Sequence, residues 1–291
     1  MELKQNRSKL FEQLVGVPFA KMTGSGNDFV IFDSREVDAA VVTQPDAIRA
    51  ICNRFNGVGA DGLVLLEPHA HGTTAQIHYY NSDGSAADLC GNATLCSAAM
   101  AVDLALAPLD DLKLFTEAGL IRARIRDGIP EIDFAPVTDI RPAVDIELKP
   151  GELEVGYALA GVPHAVVLVN SAEQVNVPAR GAELRRHEAF DANGANVNFV
   201  EVSDGGIWRY RTFERGVEGE TLACGTGAVA TAVLLATWKL AASPIQIRTS
   251  SGRLLTVTLQ QSASETTFLA SLQGEGRIVF RGQIHQISSA D

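Results

Sequence analysis

Cysteine is scarce: four residues, at positions 52, 90, 96 and 224, in a chain of 291. They lie far apart and form no dense pattern, which excludes a disulfide framework and leads us to expect reduced thiols. Basic residues are in deficit, 24 Lys and Arg against 35 Asp and Glu. The resulting net charge of -11 argues against nucleic acid or an anionic membrane as main partner. An anionic small ligand stays possible, because backbone N–H groups bind one locally. Apolar runs of membrane-spanning length are missing. The stretch from Met1 to Gly16 lacks the apolar core of a secretion signal, so a cytoplasmic protein is expected. With 46% hydrophobic and 20% charged residues, the composition is ordinary for a globular chain, and the length suits two domains.

What the chain does have is one pattern, twice. Residues 1–18 read as an extension with a short helix. Strand signals follow at Pro18–Met22 and Phe29–Asp33, flanking a glycine-rich turn over Thr23–Asp28. A helix is expected over Pro45–Arg54, then strands at Leu63–Glu67 and Ile77–Asn81, then a loop carrying Cys90. The alanine-rich helix after Cys90 must stop before Pro108, and a β-meander is expected over 111–134. From Pro136 the order recurs. Phe190–Asn196 echoes Phe55–Asp61, the Cys224 loop echoes the Cys90 loop, and Arg248–Leu254 echoes Phe115–Leu120. Gly59 to Cys90 is 31 residues and Gly194 to Cys224 is 30; Cys90 to Gly119 is 29 and Cys224 to Gly252 is 28. Such agreement marks an internal duplication, with a period too long for a solenoid. The expected fold class is α+β, with two pseudo-symmetric domains of the same fold. Each is a twisted, mostly antiparallel sheet wrapped around a central helix that is apolar nearly all round. The first domain, 19–135, carries Cys90 and the second, 136–276, carries Cys224; equivalent parts would meet, placing the active site in the cleft between them.

Cys90 and Cys224 each sit where a loop enters a helix and each is followed by glycine. At such a place unpaired backbone N–H groups and the helix dipole stabilise a negative charge and raise the thiolate fraction. The same N–H groups bind a carboxylate. Gly91 and Gly225 let the backbone approach closely. Two thiols facing one carbon suit removal of an α-proton on one face and delivery on the other, with the roles exchanged in reverse. The N–H donors would stabilise the electron-rich carboxylate of the carbanion.

Other features read more plainly. Cys52 and Cys96 are expected as small buried hydrophobes. Gly57–Gly62 matches G-x-G-x-x-G but follows a helix and precedes a strand, the reverse of a dinucleotide site. His69, His71 and His78 share no helix face, and no acidic or cysteine partner is expected near them; they read as exposed loop histidines, and no metal is expected. Asn27, Asn81 and Asn196 either cap turns or offer fixed amides to a polar ligand. His164, after Pro163, matches the Asn27-Asp28 turn of the first half. Glu214-Arg215 is either a surface pair or a reader of amino and carboxylate groups.

At these residues the chain resembles the diaminopimelate epimerase family. The carrying motifs are Lys21-Met22-Thr23-Gly24-Ser25-Gly26-Asn27-Asp28-Phe29, Gly59-Ala60-Asp61-Gly62, Asn81-Ser82-Asp83-Gly84-Ser85, Cys90-Gly91-Asn92, Pro163-His164, Asn196, Glu214-Arg215-Gly216 and Ala223-Cys224-Gly225-Thr226-Gly227. The resemblance implies a cofactor-independent epimerase that interconverts LL- and meso-2,6-diaminopimelate on the route to lysine and peptidoglycan. It implies Cys90 and Cys224 as the two acid/base residues. Gly91, Asn92, Gly225 and Thr226 would hold the reacting end of the substrate. Asn27, Asn81, Asn196, Glu214 and Arg215 would hold the distal end, with His164 lining the site. It also returns residues 277–291 to the first domain, with Arg277–Ile287 as a strand. The only macromolecular partner left open is a second copy, as a homodimer. The chain departs from the family's pattern at Ala93-Thr94-Leu95, at Val162 and by one extra residue in the loop 215–220. The rival readings are a proline or hydroxyproline racemase-like enzyme of the same architecture and a non-catalytic amino-acid-binding protein.

Overall fold

The computed structural model describes residues 2–69, 74–87, 90–190, 192–201, 205–262 and 267–287, without the side chains of residues 2–7. In chain order it runs α1 (Glu2–Gln13), β1 (Pro18–Gly24), β2 (Asn27–Asp33), α2 (Ala39–Val42), α3 (Pro45–Cys52), β3 (Gly62–Pro68), β4 (Thr74–Asn81), β5 (Ala86–Ala87), α4 (Gly91–Asp103), β6 (Leu112–Thr116), β7 (Gly119–Arg126) and β8 (Ile129–Asp133). It continues with β9 (Thr138–Arg141), β10 (Glu152–Ala160), β11 (Val162–Val169), α5 (Val177–Arg185), β12 (Asn196–Glu201), β13 (Ile207–Glu214), β14 (Gly219–Thr221), α6 (Gly225–Thr237), β15 (Ile245–Arg248), β16 (Leu254–Gln261), β17 (Phe268–Gln273) and β18 (Arg277–Gln283). The chain forms two compact units, Met1–Glu131 with Glu275–Asp291, and Ile132–Gly274. No helix among the described residues is long and apolar enough to cross a membrane.

In the first unit β1 lies antiparallel between β18 and β2. β2 and β3 are parallel, β3 and β4 antiparallel, β4 and β6 parallel, β6 and β7 antiparallel. β2 and β3 read almost continuously apolar, Phe29-Val30-Ile31-Phe32 and Leu63-Val64-Leu65-Leu66, because both faces are covered. Val30, Phe32, Leu63 and Leu65 pack with Ile48 and Ile51 of α3 and with Leu10 and Leu14 of α1. On the other face lies α4, buried from Gly91 through Ala98.

The second unit repeats this order. β10 and β11 form an antiparallel pair, α5 leads to β12 parallel to β11, and β13 returns antiparallel. α6 then leads to β15, parallel to β13, and β16 and β17 follow antiparallel. Val155, Tyr157, Val167, Val197 and Phe199 pack on Val177 and Leu184 of α5. α6 fills the opposite side, buried from Gly227 through Leu235. Each sheet is mixed but mostly antiparallel around one central helix.

Several details depart from the sequence reading. The turn expected over 23–28 contracts to Ser25-Gly26, both at positive φ (54° and 115°), a two-residue hairpin that leaves Asn27 and Asp28 on β2. α2, α5, β5, β9 and β14 escape the sequence pattern. α5 is masked by Pro178 and Gly181, but Pro is tolerated in a first helical turn. β18 pairs with β1 from Pro18↔Gln283 to Thr23↔Arg277.

Candidate active site

Two of the four cysteines stand at helix starts, one in each unit. Cys90 is the N-cap of α4, with φ −133° and ψ 115°. Its carbonyl accepts from the Thr94 backbone N–H at 2.8 Å and from the Thr94 hydroxyl at 2.9 Å. Thr94 is one of the residues that depart from the family's pattern, and here it caps the cysteine's carbonyl. Gly24 presses against this turn: a Cβ there would lie 2.8 Å from the Asn92 carbonyl and 2.9 Å from Cys96 Sγ. The Tyr79 hydroxyl lies within hydrogen-bonding reach of the Cys90 side chain. Burial and negative charge at Cys90 push the Tyr79 phenol well up, so it stays protonated.

Asn92 Nδ2 donates to Asn27 Oδ1 at 2.7 Å, and Asn27 Nδ2 donates to Asp61 at 3.0 Å. Arg54 clamps Asp61 and Asp28, at 2.6 and 2.8 Å, and Lys21 pairs with Asp28 at 2.7 Å. Burial pushes the Asp28 carboxyl upward, but hydrogen bonds and charge from Arg54 and Lys21 outweigh it and hold the group down at about 2. Asn27 is thus a strut behind Asn92, fixed by a charged network. Buried Asn92 keeps its Oδ1 without a partner among the described residues. Asn81 Nδ2 is spent on Ser85 Oγ at 3.0 Å, inside the turn before Cys90.

Cys224 is the N-cap of α6, with φ −134° and ψ 112°. Gly227 N–H donates to its sulfur at 3.4 Å, and Thr226 Oγ1 lies 3.4 Å from the sulfur. Glu214 comes within hydrogen-bonding reach of the Cys224 side chain and accepts from the Thr221 hydroxyl. Burial raises the Glu214 carboxyl, against the hydrogen bonds from Thr221 and Cys224. Asn196, His164 and Arg215 form a second group. Asn196 Oδ1 accepts from Arg215 N–H at 2.7 Å, and His164 is the register partner of Asn196 on β11.

His164 is fully buried, with Nδ1 3.2 Å from Asn198 Nδ2 and Nε2 without a partner among the described residues. Burial, and then the charge of Arg215, pull it from 6.5 down to about 3, so the ring is neutral. Between these values the unfolded chain takes up a proton that the folded chain refuses, so stability falls as pH falls from 6.5 toward 3. In urea titrations the loss should approach about 1.4 kcal/mol per pH unit. His164→Gln should flatten that slope; an unchanged slope would locate the titration elsewhere.

The sequence reading missed Asn198. It is fully buried, donates to the Ala165 carbonyl at 3.1 Å and accepts from Thr212 at 3.0 Å. A Cβ on Gly227 would fall inside contact distance of its Oδ1, with Cγ at 3.2 Å. Cys52 and Cys96 are buried as expected; burial drives the first thiol up to about 12 and the second well above its ordinary value. The histidine reading needs correction. His78 lies on β4, 3.4 Å from Glu67 and 3.5 Å from Glu117, because strand register supplies acidic neighbours that sequence distance hides. His69 stacks on Phe115 at 4.7 Å, and His71 lies outside the described residues.

The sequence profile described as diaminopimelate epimerase matches residues 19–134 and 156–275, most of the chain and both units. The chain belongs to the diaminopimelate epimerase family. The diaminopimelate epimerase of Gemmatimonas aurantiaca is 56% identical over 275 residues, covering 91% of this chain and 98% of that one. That of a Hydrogenobaculum species is 37% identical, covering 91% and 97%. Among solved structures, a Bacillus anthracis phenazine biosynthesis protein of the PhzF family superposes with a TM-score of 0.71 at 13% identity, covering 92% and 98%. A hydroxyproline epimerase from Agrobacterium vitis gives 0.64 at 18% identity, covering 92% of each chain. Those two likenesses show a shared fold. Within the diaminopimelate epimerase family, then, this chain places Cys90, Gly91, Asn92 and Asn27 around one helix start. Cys224, Gly225, Thr226 and Glu214 surround the other, with Asn196 and His164 on paired strands of the second unit and Arg215 in the turn after β13.

Proposed function

We propose that this family member interconverts LL- and meso-2,6-diaminopimelate, with Cys90 and Cys224 as acid and base on opposite faces of one α-carbon. The carrying observation is that both cysteines are helix N-caps with φ and ψ matching to within 3°. Two thiols on matched N-cap backbones fit a reaction that runs in both directions, each serving as base in one and acid in the other. The scheme draws its acid and base from the chain itself. N–H groups at the starts of α4 and α6, with Gly91, Asn92, Gly225 and Thr226, receive the carboxylate and stabilise the charge it gains. Asn92 Oδ1 and His164 Nε2, buried without partners among the described residues, are available to a polar ligand. Asn27 acts by orienting Asn92, and Glu214 accepts from the Cys224 thiol. Asn81, Asn196 and Arg215 serve the distal end. The activity belongs in the cytoplasm, on the route to lysine and cell-wall precursors.

The test is incubation with LL-diaminopimelate in deuterated water. The α-position should gain deuterium and the meso isomer should accumulate, with L-proline inert. Exchange of proline alone would transfer the chain to the racemase reading. Bound diaminopimelate without exchange would make it a binding protein.

A further inference from the structure

We propose that Tyr210 is a positioning residue for Cys224, its buried hydroxyl closing on both backbone polar groups of that cysteine and so aiming the thiol over the first turn of α6. Cys224 has an extended backbone but lies in no strand, so no ladder serves its N–H and C=O. The Cys224 N–H donates to Tyr210 Oη at 2.7 Å, and Tyr210 Oη donates to the Cys224 carbonyl at 2.7 Å. One phenol thus takes the place of a hydrogen-bonded partner on a neighbouring strand. The carbonyl also accepts from Ala228 N–H at 2.9 Å, so its acceptor capacity is filled. With the backbone fixed, the direction of Cα–Cβ follows, and the Gly227 N–H and the Thr226 hydroxyl meet the sulfur in the rotamer that points over the turn.

The first unit solves the same problem differently. There the carbonyl of the N-cap cysteine takes a hydroxyl from Thr94, on its own helix. At the matching offset α6 carries Ala228, which has no hydroxyl, and the sheet provides Tyr210 instead. The residue sits on β13 at 2% exposure. Alternate positions of that strand, Tyr210, Thr212 and Glu214, touch the Cys224 backbone, Asn198 and the Cys224 side chain in turn. Burial, and then negative charge at Cys224, keep the phenol protonated, so it remains a donor while the thiol ionises.

The inference rests on the reading of Cys224 as an acid/base residue, but its test does not depend on the substrate. Tyr210→Phe keeps the ring and removes the hydroxyl. Alkylation by iodoacetamide across pH, read at Cys224 and Cys90 in one sample by peptide mass spectrometry, reports each thiol's ionisation. The Cys224 midpoint should rise by about one pH unit, while the Cys90 midpoint stays. In the epimerase assay kcat should fall about tenfold or more with KM little changed. An unmoved Cys224 midpoint, or equal movement of both, overturns the proposal. If the variant fails to fold, hydrogen exchange on the unaltered protein decides: the Cys224 amide should exchange as slowly as core-strand amides, and exchange at loop rates overturns it.

Discussion

Cys90→Ser and Cys224→Ser are each expected to lower epimerisation by about 10³-fold or more, within the range general acid–base groups supply, with the fold intact. Serine is a favoured N-cap residue of nearly the same size, so α4 and α6 should hold. The helix start that stabilises a thiolate cannot bring an alcohol to ionise near neutral pH. The two variants should differ in one respect. With one base gone, the other can still remove and return the proton of the isomer that faces it. Each variant should therefore exchange the α-proton of one stereoisomer without inversion, and the two should choose opposite isomers. Proton NMR in deuterated water separates these outcomes. Near-normal epimerisation by either variant would sink the two-thiol scheme.

Gly227→Ala should be the most damaging change outside the thiols. The added methyl would overlap Asn198 Oδ1. Asn198 has nowhere to go, since it is fully buried and bound to Thr212, the Ala165 carbonyl and His164. Either the start of α6 lifts or Asn198 leaves its partners. Overpacking of this kind costs about 1–3 kcal/mol. Lifting the helix start also carries the Gly227 N–H away from the Cys224 sulfur, so turnover should fall about 10²-fold or more. Urea unfolding and the epimerase assay on the same preparation check both effects. A variant with unaltered midpoint and rate would mean that α6 does not rest on Asn198.

The duplication was legible because burial on both faces writes itself as apolar runs. Phe29-Val30-Ile31-Phe32 and Leu63-Val64-Leu65-Leu66 admit few other readings once a helix lies between them. The cysteine turns were legible for a related reason: a small-residue helix following Cys-Gly has an exposed dipole end. What supports those turns was hidden. Tyr210 and Thr212 are ordinary strand formers, so nothing in β13 marks them as polar struts. Asn198 sits mid-strand and gains its meaning from β13 and Gly227, both distant in sequence. Asn27 reads from sequence either as a turn cap or as a ligand-facing amide, and its contacts with Asn92 and Asp61 come from residues far away in the chain. Period and composition report which face is buried; they do not report which polar groups will meet there.

The pairing of β18 with β1 sets an order of events during synthesis. Residues 18–24 leave the ribosome early, and their antiparallel partner, 277–283, emerges only after all of 132–274. Until then β1 offers one open edge, the kind of edge that recruits other chains. A product truncated after residue 276 would keep Cys90 and Cys224 and still be left with that edge permanently open. The last described strand thus closes an edge of the fold and adds no group to either cysteine's helix start.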